Sequence, residues 1–565
     1  MRLSYTTLLA SLCLGAEAKL RYCPPYGPVL PAPKRPSEHP AVKFVIEGIL
    51  TTLQQQVGEF NSSAVSVGIQ SIHEDAPFLD FHHTPPHPDK RGAKEVNANT
   101  VYRLGSISKV FTVLAALKLA EDGKLNMNDV VGKWIPELMG QASNDDEDEL
   151  DRIRWQDVTV EALASHLSGI GGDMTTDLAA FDYDWESMGL PKASSEVQNR
   201  TCSVSEGIPA CTRKDLLETF QHRRPPVYPA NQSPVYSNAG ISMVGLVVEV
   251  AFTKSYDAAL HDLILEPLAL KDTTVGTDPN KIENIFIPAG STDWDMDLGV
   301  FDPAGGINSN TKDMLSFLTG ILKKSALSPA STHRWLKPNT FTSTWSSAVG
   351  APWEIYRIDN LTSDGRIIDI HTKGGSLTSY HGGLALVSEF GLAISVLSAG
   401  PEAPGLWPQL AMLKATEALI PALDLASRDE AKKRFAGKYT HEESGSELTL
   451  SLDDGPGLVL TKWIVRDFFV LENLNRYNPA NVLKQNLDQH GEACFRLFTD
   501  EVAKIIDAST SLKDVTCNTW QTADKAIYNR FSLDHFEFQF GDDGETAVSI
   551  KLKGFDVELA RVKES

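Results

Sequence analysis

Long apolar runs are missing from this 565-residue chain. The stretch Leu8-Leu9-Ala10-Ser11-Leu12-Cys13-Leu14 near its start is too short to cross a bilayer, so no membrane-spanning segment is expected. Basic charge is also short: 52 Lys and Arg stand against 74 Asp and Glu, and the resulting net charge of −22 argues against nucleic acid or an anionic membrane as partner. Cysteine is sparse, six in all, and no paired Cys-x-x-Cys or suitably spaced histidines accompany it, so neither a metal nor any other cofactor is expected. Internal repeats and low-complexity tracts are absent, which excludes a solenoid.

The cysteines and the start of the chain point to an oxidising compartment. Met1-Arg2, the short apolar stretch and Ala16-Glu17-Ala18 read as a secretory signal peptide over 1–18. The close pairs Cys202/Cys211 and Cys494/Cys517 suggest two local disulfides, with Cys23 left over. Asn61, Asn199 and Asn360 begin glycosylation sequons, and Asn231 begins a weaker one because Pro234 follows it. A secreted, extracellular protein is expected.

At this length the chain needs more than one domain. Prolines over 19–40 suggest an extended surface arm; Ala41 to Leu53 reads as an amphipathic helix and Ala64 to Gln70 as a strand. His73, His82, His83 and His87 lie among Pro77, Pro85, Pro86 and Pro88, so a surface loop is expected there rather than a metal site. The acidic run Asn144 to Glu149 reads as a solvated loop, and the long segment between Gly169 and Tyr236 as a wall or lid. A charged helical connector over Ser427 to Phe435 leads to alternating strands: Leu448, Leu450 and Leu452; Phe536, Phe538 and Phe540; Val548, Ile550 and Leu552. Residues 430–565 are therefore expected to form an antiparallel β-barrel or sandwich.

Three short motifs carry the chemistry. Ser106-Ile107-Ser108-Lys109 opens an apolar helix and puts a hydroxyl and an amine on one helical face. A serine hydroxyl needs an adjacent base to act as a nucleophile. Tyr236-Ser237-Asn238 precedes a small, apolar helix, and Lys373-Gly374-Gly375-Ser376 falls where one strand turns into the next. Lys109 or Tyr236 is the candidate base, and the choice stays open. Lys373 would act as a second cation depressing both. Asn238 has an amide suited to orienting substrate, and the glycines at 374 and 375 would let substrate approach the strand.

Together with Tyr102 to Lys109, Leu163-Ala164-Ser165-His166-Leu167-Ser168-Gly169 and Pro303-Ala304-Gly305-Gly306-Ile307, these motifs resemble the β-lactamase-related serine hydrolases. That family includes class C β-lactamases, D-alanyl-D-alanine carboxypeptidases, esterases and lovastatin-type acyltransferases. The likeness covers about residues 41–425, in the manner of the family's secreted fungal branch. It implies an α/β (α+β) fold in which helices flank an antiparallel sheet, with Ser106, Lys109 and Tyr236 catalytic and Asn238, Lys373, Gly374 and Gly375 binding substrate. It also assigns the oxyanion hole to the backbone N–H groups of Ser106 and Ser376. Gly374 lacks the hydroxyl that β-lactam-hydrolysing relatives carry there. The expected partner is a small ester, amide or peptide; hydrolysis, acyl transfer and an inactive binding cleft all remain open, as does the oligomeric state.

Overall fold

The computed structural model describes residues 26–139, 152–174, 178–180, 183–192, 202, 209–222, 224–292, 294–473, 476, 486–489, 494–498, 520 and 526–563. The leader, Cys23, the acidic run 144–149, Asn199 and Cys517 lie outside them, as does the side chain of Cys494. The chain divides into two compact units, one of residues 34–357 with 369–419, the other of 1–33, 358–368 and 420–565. Among the described residues, no single helix is long and apolar enough to cross a membrane.

The larger unit is built on an antiparallel sheet of eight strands. Its members are β1 (Ala64–Ser71), β2 (Leu79–His83), β3 (Thr340–Phe341), β4 (Ser347–Val349), β5 (Glu354–Ile358), β6 (Ile368–Leu377), β7 (Tyr380–Val387) and β8 (Leu392–Ala399). They lie in the order β2-β1-β8-β7-β6-β5-β4-β3, so β1 and β8, from opposite ends of the unit's sequence, pair within it. Every residue of β8 is buried, and β1 is nearly as enclosed, which fits strands covered on both faces.

Of the helices, α1 (Pro40–Val57) and α5 (Thr311–Leu322) pack on this sheet, α2 (Ser108–Glu121), α3 (Asn238–Phe252) and α4 (Asp302–Gly305) pack on one another, and α6 (Trp407–Arg434) has its residues 407–419 in this unit. Gly68 on β1 lets α5 come close, since a Cβ there would lie 2.6 Å from Thr311 Cγ2. Residues 108–116 of α2 are all buried, so the helix runs through the core rather than over it. Phe111 of α2 and Phe317 of α5 stack with ring centroids 3.9 Å apart.

Among the described residues, the smaller unit carries a nine-stranded antiparallel sheet and a separate two-stranded hairpin, Ile527–Tyr528 with Phe531–Ser532. In the row of paired strands, Ser446–Ser451 comes first and also pairs with Leu458–Val465, the eighth, so the sheet curls around its own apolar face. Phe435, Tyr439, Leu448, Leu450, Trp463, Phe536 and Phe538 fill that core.

Three expectations need correction. Val29 and Leu30 are buried in the core of the smaller unit, so the proline-rich arm does not merely lie on a surface: an apolar pair between prolines is worth burying. His82 and His83 belong to strand β2, because the flanking prolines fall outside its five residues; His82 faces Ser66 of β1, its Nδ1 3.0 Å from the Ser66 hydroxyl. Val548 points outward, since a register shift beside Phe540 gives the inward place to Ala547.

Candidate active site

A single 3₁₀ turn, Gly105–Ile107, leads directly into α2. It presents Ser106 one turn ahead of Lys109. Gly105 has φ +53°, and a Cβ there would lie 2.9 Å from the backbone N, C and O of Ser376. That close approach sets the Ser376 backbone of β6 against the turn that carries Ser106.

The glycines of β6 serve the protein's own packing. A Cβ on Gly375 would sit 2.1 Å from the Leu104 carbonyl oxygen, and one on Gly374 would sit 2.2 Å from Gln409 Nε2 of α6. The space beside each glycine is thus taken, by the turn before Ser106 and by a helix side chain.

Lys109 is fully buried. Its Nζ donates to Ser106 Oγ at 2.9 Å and to the Ala304 carbonyl of α4 at 2.7 Å. Thr112, one turn further along α2, donates to the neighbouring Pro303 carbonyl at 2.6 Å and meets the Tyr256 hydroxyl at 2.6 Å. The Pro303 to Ile307 motif thus contributes backbone carbonyls.

Lys373 is also buried, and its Nζ donates to Glu354 Oε1 at 2.6 Å and to the Gly374 carbonyl at 2.9 Å. Gly374 N–H donates to the second oxygen of Glu354 at 3.2 Å. Glu354 lies on β5, in no motif, and sequence reasoning missed it.

The two ammonium groups flank Tyr236, with Lys109 Nζ 5.0 Å and Lys373 Nζ 5.2 Å from its ring centroid. Burial pushes Lys109 down most strongly; Tyr236 partly offsets this and Lys373 adds to it, leaving the amine at about 8. Burial acts to raise the Tyr236 phenol, yet the Lys373 and Lys109 charges outweigh it and hold the group below its ordinary value. Burial acts to lower Lys373, but Tyr236 and Glu354 overcome it and keep that amine charged. Tyr236 and each lysine thus shift one another, and the three groups titrate as a coupled set.

Asn238 begins α3, where Ser237 caps the helix by accepting from Gly240 N–H at 2.8 Å. The Asn238 amide donates to Asp173 Oδ2 at 3.3 Å, across to the segment that follows Gly169. Ser376 is exposed, its hydroxyl 3.0 Å from His381 Nδ1. His166, whose motif was recognised but given no role, lies with its ring centroid 4.6 Å from that of Tyr236. Cys202 and Cys211 are disulfide-bonded, and Asn61, Asn231 and Asn360 are exposed.

The model of the family described as β-lactamase matches residues 71–416. The chain belongs to the β-lactamase family. A second model, described as a β-lactamase-like C-terminal domain, matches residues 427–563. The β-lactamase-like protein of Arthroderma benhamiae is 25% identical over 95% of this chain and 95% of its own. "Probable hydrolase M10" of a Phoma species is 25% identical over 84% of this chain and 78% of its own. "Probable hydrolase clz13" of Cochliobolus lunatus is 26% identical over 84% and 79%. Among solved structures, the β-lactamase/D-alanine carboxypeptidase of Yersinia pestis superposes with a TM-score of 0.50 at 16% identity, covering 67% of this chain and 99% of that one, a likeness of fold alone.

Proposed function

We propose that the protein is a secreted serine hydrolase that cleaves an ester or amide through an acyl-enzyme on Ser106. The observation that carries this reading is the 2.9 Å contact between Lys109 Nζ and Ser106 Oγ, set beside a phenol held between two buried ammonium groups. With Lys109 at about 8, a useful fraction of the amine is neutral near physiological pH, and the neutral amine can accept the Ser106 proton over that contact.

In the first half-reaction the Ser106 oxygen bonds to the substrate carbonyl carbon while its proton passes to the Lys109/Tyr236 pair. Collapse of the tetrahedral adduct breaks the ester or amide bond, and the same pair returns the proton to the leaving alcohol or amine. Water then repeats the sequence, and an acid is released. The backbone N–H groups of Ser106 and Ser376 are the proposed oxyanion donors, a role supported by the close seam at Gly105.

Lys373 is already ion-paired to Glu354, and Gly374 offers no hydroxyl, so we place neutral esters ahead of β-lactams and other carboxylate-bearing substrates. Tyr236 is 44% exposed, which favours water over a sequestered alcohol as acceptor. The Cys202–Cys211 disulfide supports an extracellular location.

Intact-protein mass spectrometry with a fluorophosphonate probe tests the nucleophile. A single adduct is expected on the wild type and none on Ser106→Ala; an adduct that survives the substitution removes Ser106 from the mechanism.

A further inference from the structure

His166 grips the chain on both sides of Tyr236. Its carbonyl accepts from Val235 N–H at 2.8 Å and its Nδ1 accepts from Ser237 N–H at 3.2 Å. Between those two hydrogen bonds its ring lies against the Tyr236 ring, 4.6 Å between centroids and tilted by 30°. One residue thereby fixes the backbone before the phenol, the backbone after it, and the plane of the phenol itself.

The imidazole is held in one form. Because Nδ1 accepts a hydrogen bond, the neutral ring carries its proton on Nε2, and that atom is buried without a hydrogen-bond partner. Its backbone is left-handed, φ +61°, a conformation uncommon for any residue but glycine. Burial first, then the charges of Lys109 and Lys373, drive its pKa well below the ordinary histidine value. An orphaned donor and an unfavourable backbone are poor reasons to keep a histidine for packing alone.

We infer that His166 is a positioning residue whose neutral ring holds the Tyr236 phenol between the ammonium groups of Lys109 and Lys373. The inference rests on the acyl-enzyme reading above and adds to it the element that orients the phenol. Without the ring on its inner face, Tyr236 has room to rotate toward solvent. The phenol would then move away from both lysines, and its pKa would climb back toward that of a free tyrosine. Displacements of about 1 Å at such a site cost on the order of 10²-fold in rate.

Four full-length proteins separate this role from a structural one: the wild type, His166→Ala, His166→Phe, which keeps a ring, and His166→Asn, which keeps an acceptor for Ser237 N–H. The fluorophosphonate acylation rate is measured across pH for each, with thermal unfolding alongside. His166→Ala should acylate about 30- to 100-fold more slowly, and its Tyr236 phenol, read by ultraviolet difference against Tyr236→Phe, should titrate at higher pH. His166→Phe should recover to within about fivefold with the phenol titrating as in the wild type, and His166→Asn should not recover. Equal rates for the Phe and Asn variants, or losses that follow stability with an unmoved phenol titration, overturn the inference.

A wild type with no adduct dependent on Ser106 defeats the acyl-enzyme reading instead. Ultraviolet titration of the Tyr236 phenolate, by difference against Tyr236→Phe, then still decides the role of His166. An upward shift in His166→Ala but not in His166→Phe upholds it, and no shift in either overturns it.

Discussion

Each unit of this protein buries a cluster of charged groups, and the two clusters are built on opposite plans. In the smaller unit Arg366 donates through Nη1 to both oxygens of Asp364 at 2.8 Å and through Nη2 to Asp424 at 3.0 Å, while Arg428 Nε donates to Asp424 at 3.0 Å. Two cations meet two anions, and the remaining positions are filled: Thr362 donates to Asp364, and Arg428 donates to the carbonyls of Asp453 and Gly455. In the larger unit two buried ammonium groups crowd one phenol, and the nearby carboxylate, Glu354, has a side chain 43% exposed. The balanced cluster pairs cation with anion and serves the fold. The unbalanced one stores its imbalance in displaced pKa values, the condition for acid–base work near neutral pH.

The largest effect that would break this contrast comes from Lys109→Met. Turnover should fall by about 10⁴-fold, as when one member of a cooperating catalytic set is removed. Stability should nevertheless rise, by about 1 kcal/mol at pH 7. The sign follows from linkage: the folded amine titrates at about 8 and the unfolded amine at its ordinary 10.5, so between those values the unfolded chain binds the extra proton. Wild-type stability therefore climbs with pH across that window, and the advantage of Met is full below pH 8 and fades toward 10.5. Urea unfolding at pH 7 and pH 10 measures both. A variant less stable than wild type at pH 7 would place Lys109 with the structural charges.

Arg366→Ala should act in the opposite sense. Removing one partner of a balanced buried set leaves two carboxylates to share the single guanidinium of Arg428, and a loss of about 3–5 kcal/mol is expected in the unfolding of the full chain. Labelling of Ser106 at 25 °C in the folded protein should change by less than about threefold, since Arg366 has no part in the chemistry. Next in size is the pH dependence of acylation, which should rise about tenfold from pH 7 to pH 9 as Lys109 loses its proton. A profile flat over that range would mean that the amine enters already neutral or plays no part.

The same contrast explains what could be read from the residues in advance. Ser106 and Lys109 share one helical turn, and Tyr236 and Lys373 stand beside a helix start and a strand, so local pattern was enough to nominate them. Their gathering depends on pairings such as Ala64 with Ala399 and on the seam where Gly375 meets the Leu104 carbonyl, contacts between segments hundreds of residues apart. Glu354 stayed invisible because one glutamate on a short strand has no pattern; only the pairing of β5 with its neighbours brings it to Lys373. Ala304 contributes a carbonyl, which every residue has. His166 stood in a recognised motif, yet its left-handed backbone and its grip on residues 235–237 are properties of the fold. In the smaller unit the alternation of leucines and phenylalanines was legible, but a single register shift was enough to turn Val548 outward.

Asp302 gives the smallest and most discriminating test, because it is an unbalanced charge that the proposed chemistry does not use. It opens α4, two residues before the carbonyl that holds Lys109. Burial, reinforced by Asp297, raises it to about 7 against a weaker opposing pull from Arg103. The folded carboxyl is thus raised above its unfolded value of 3.8: the stabilising contribution of its proton is complete below that value and lost as pH rises through 7. Asp302→Asn should match the wild type at pH 4 and exceed its stability at pH 8 by about 1–2 kcal/mol, read from urea midpoints at the two pH values. A gain of equal size at both would reflect packing rather than charge. A gain confined to high pH, with Ser106 labelling intact, would separate an imbalance the fold tolerates from the one at Lys109 that the chemistry needs.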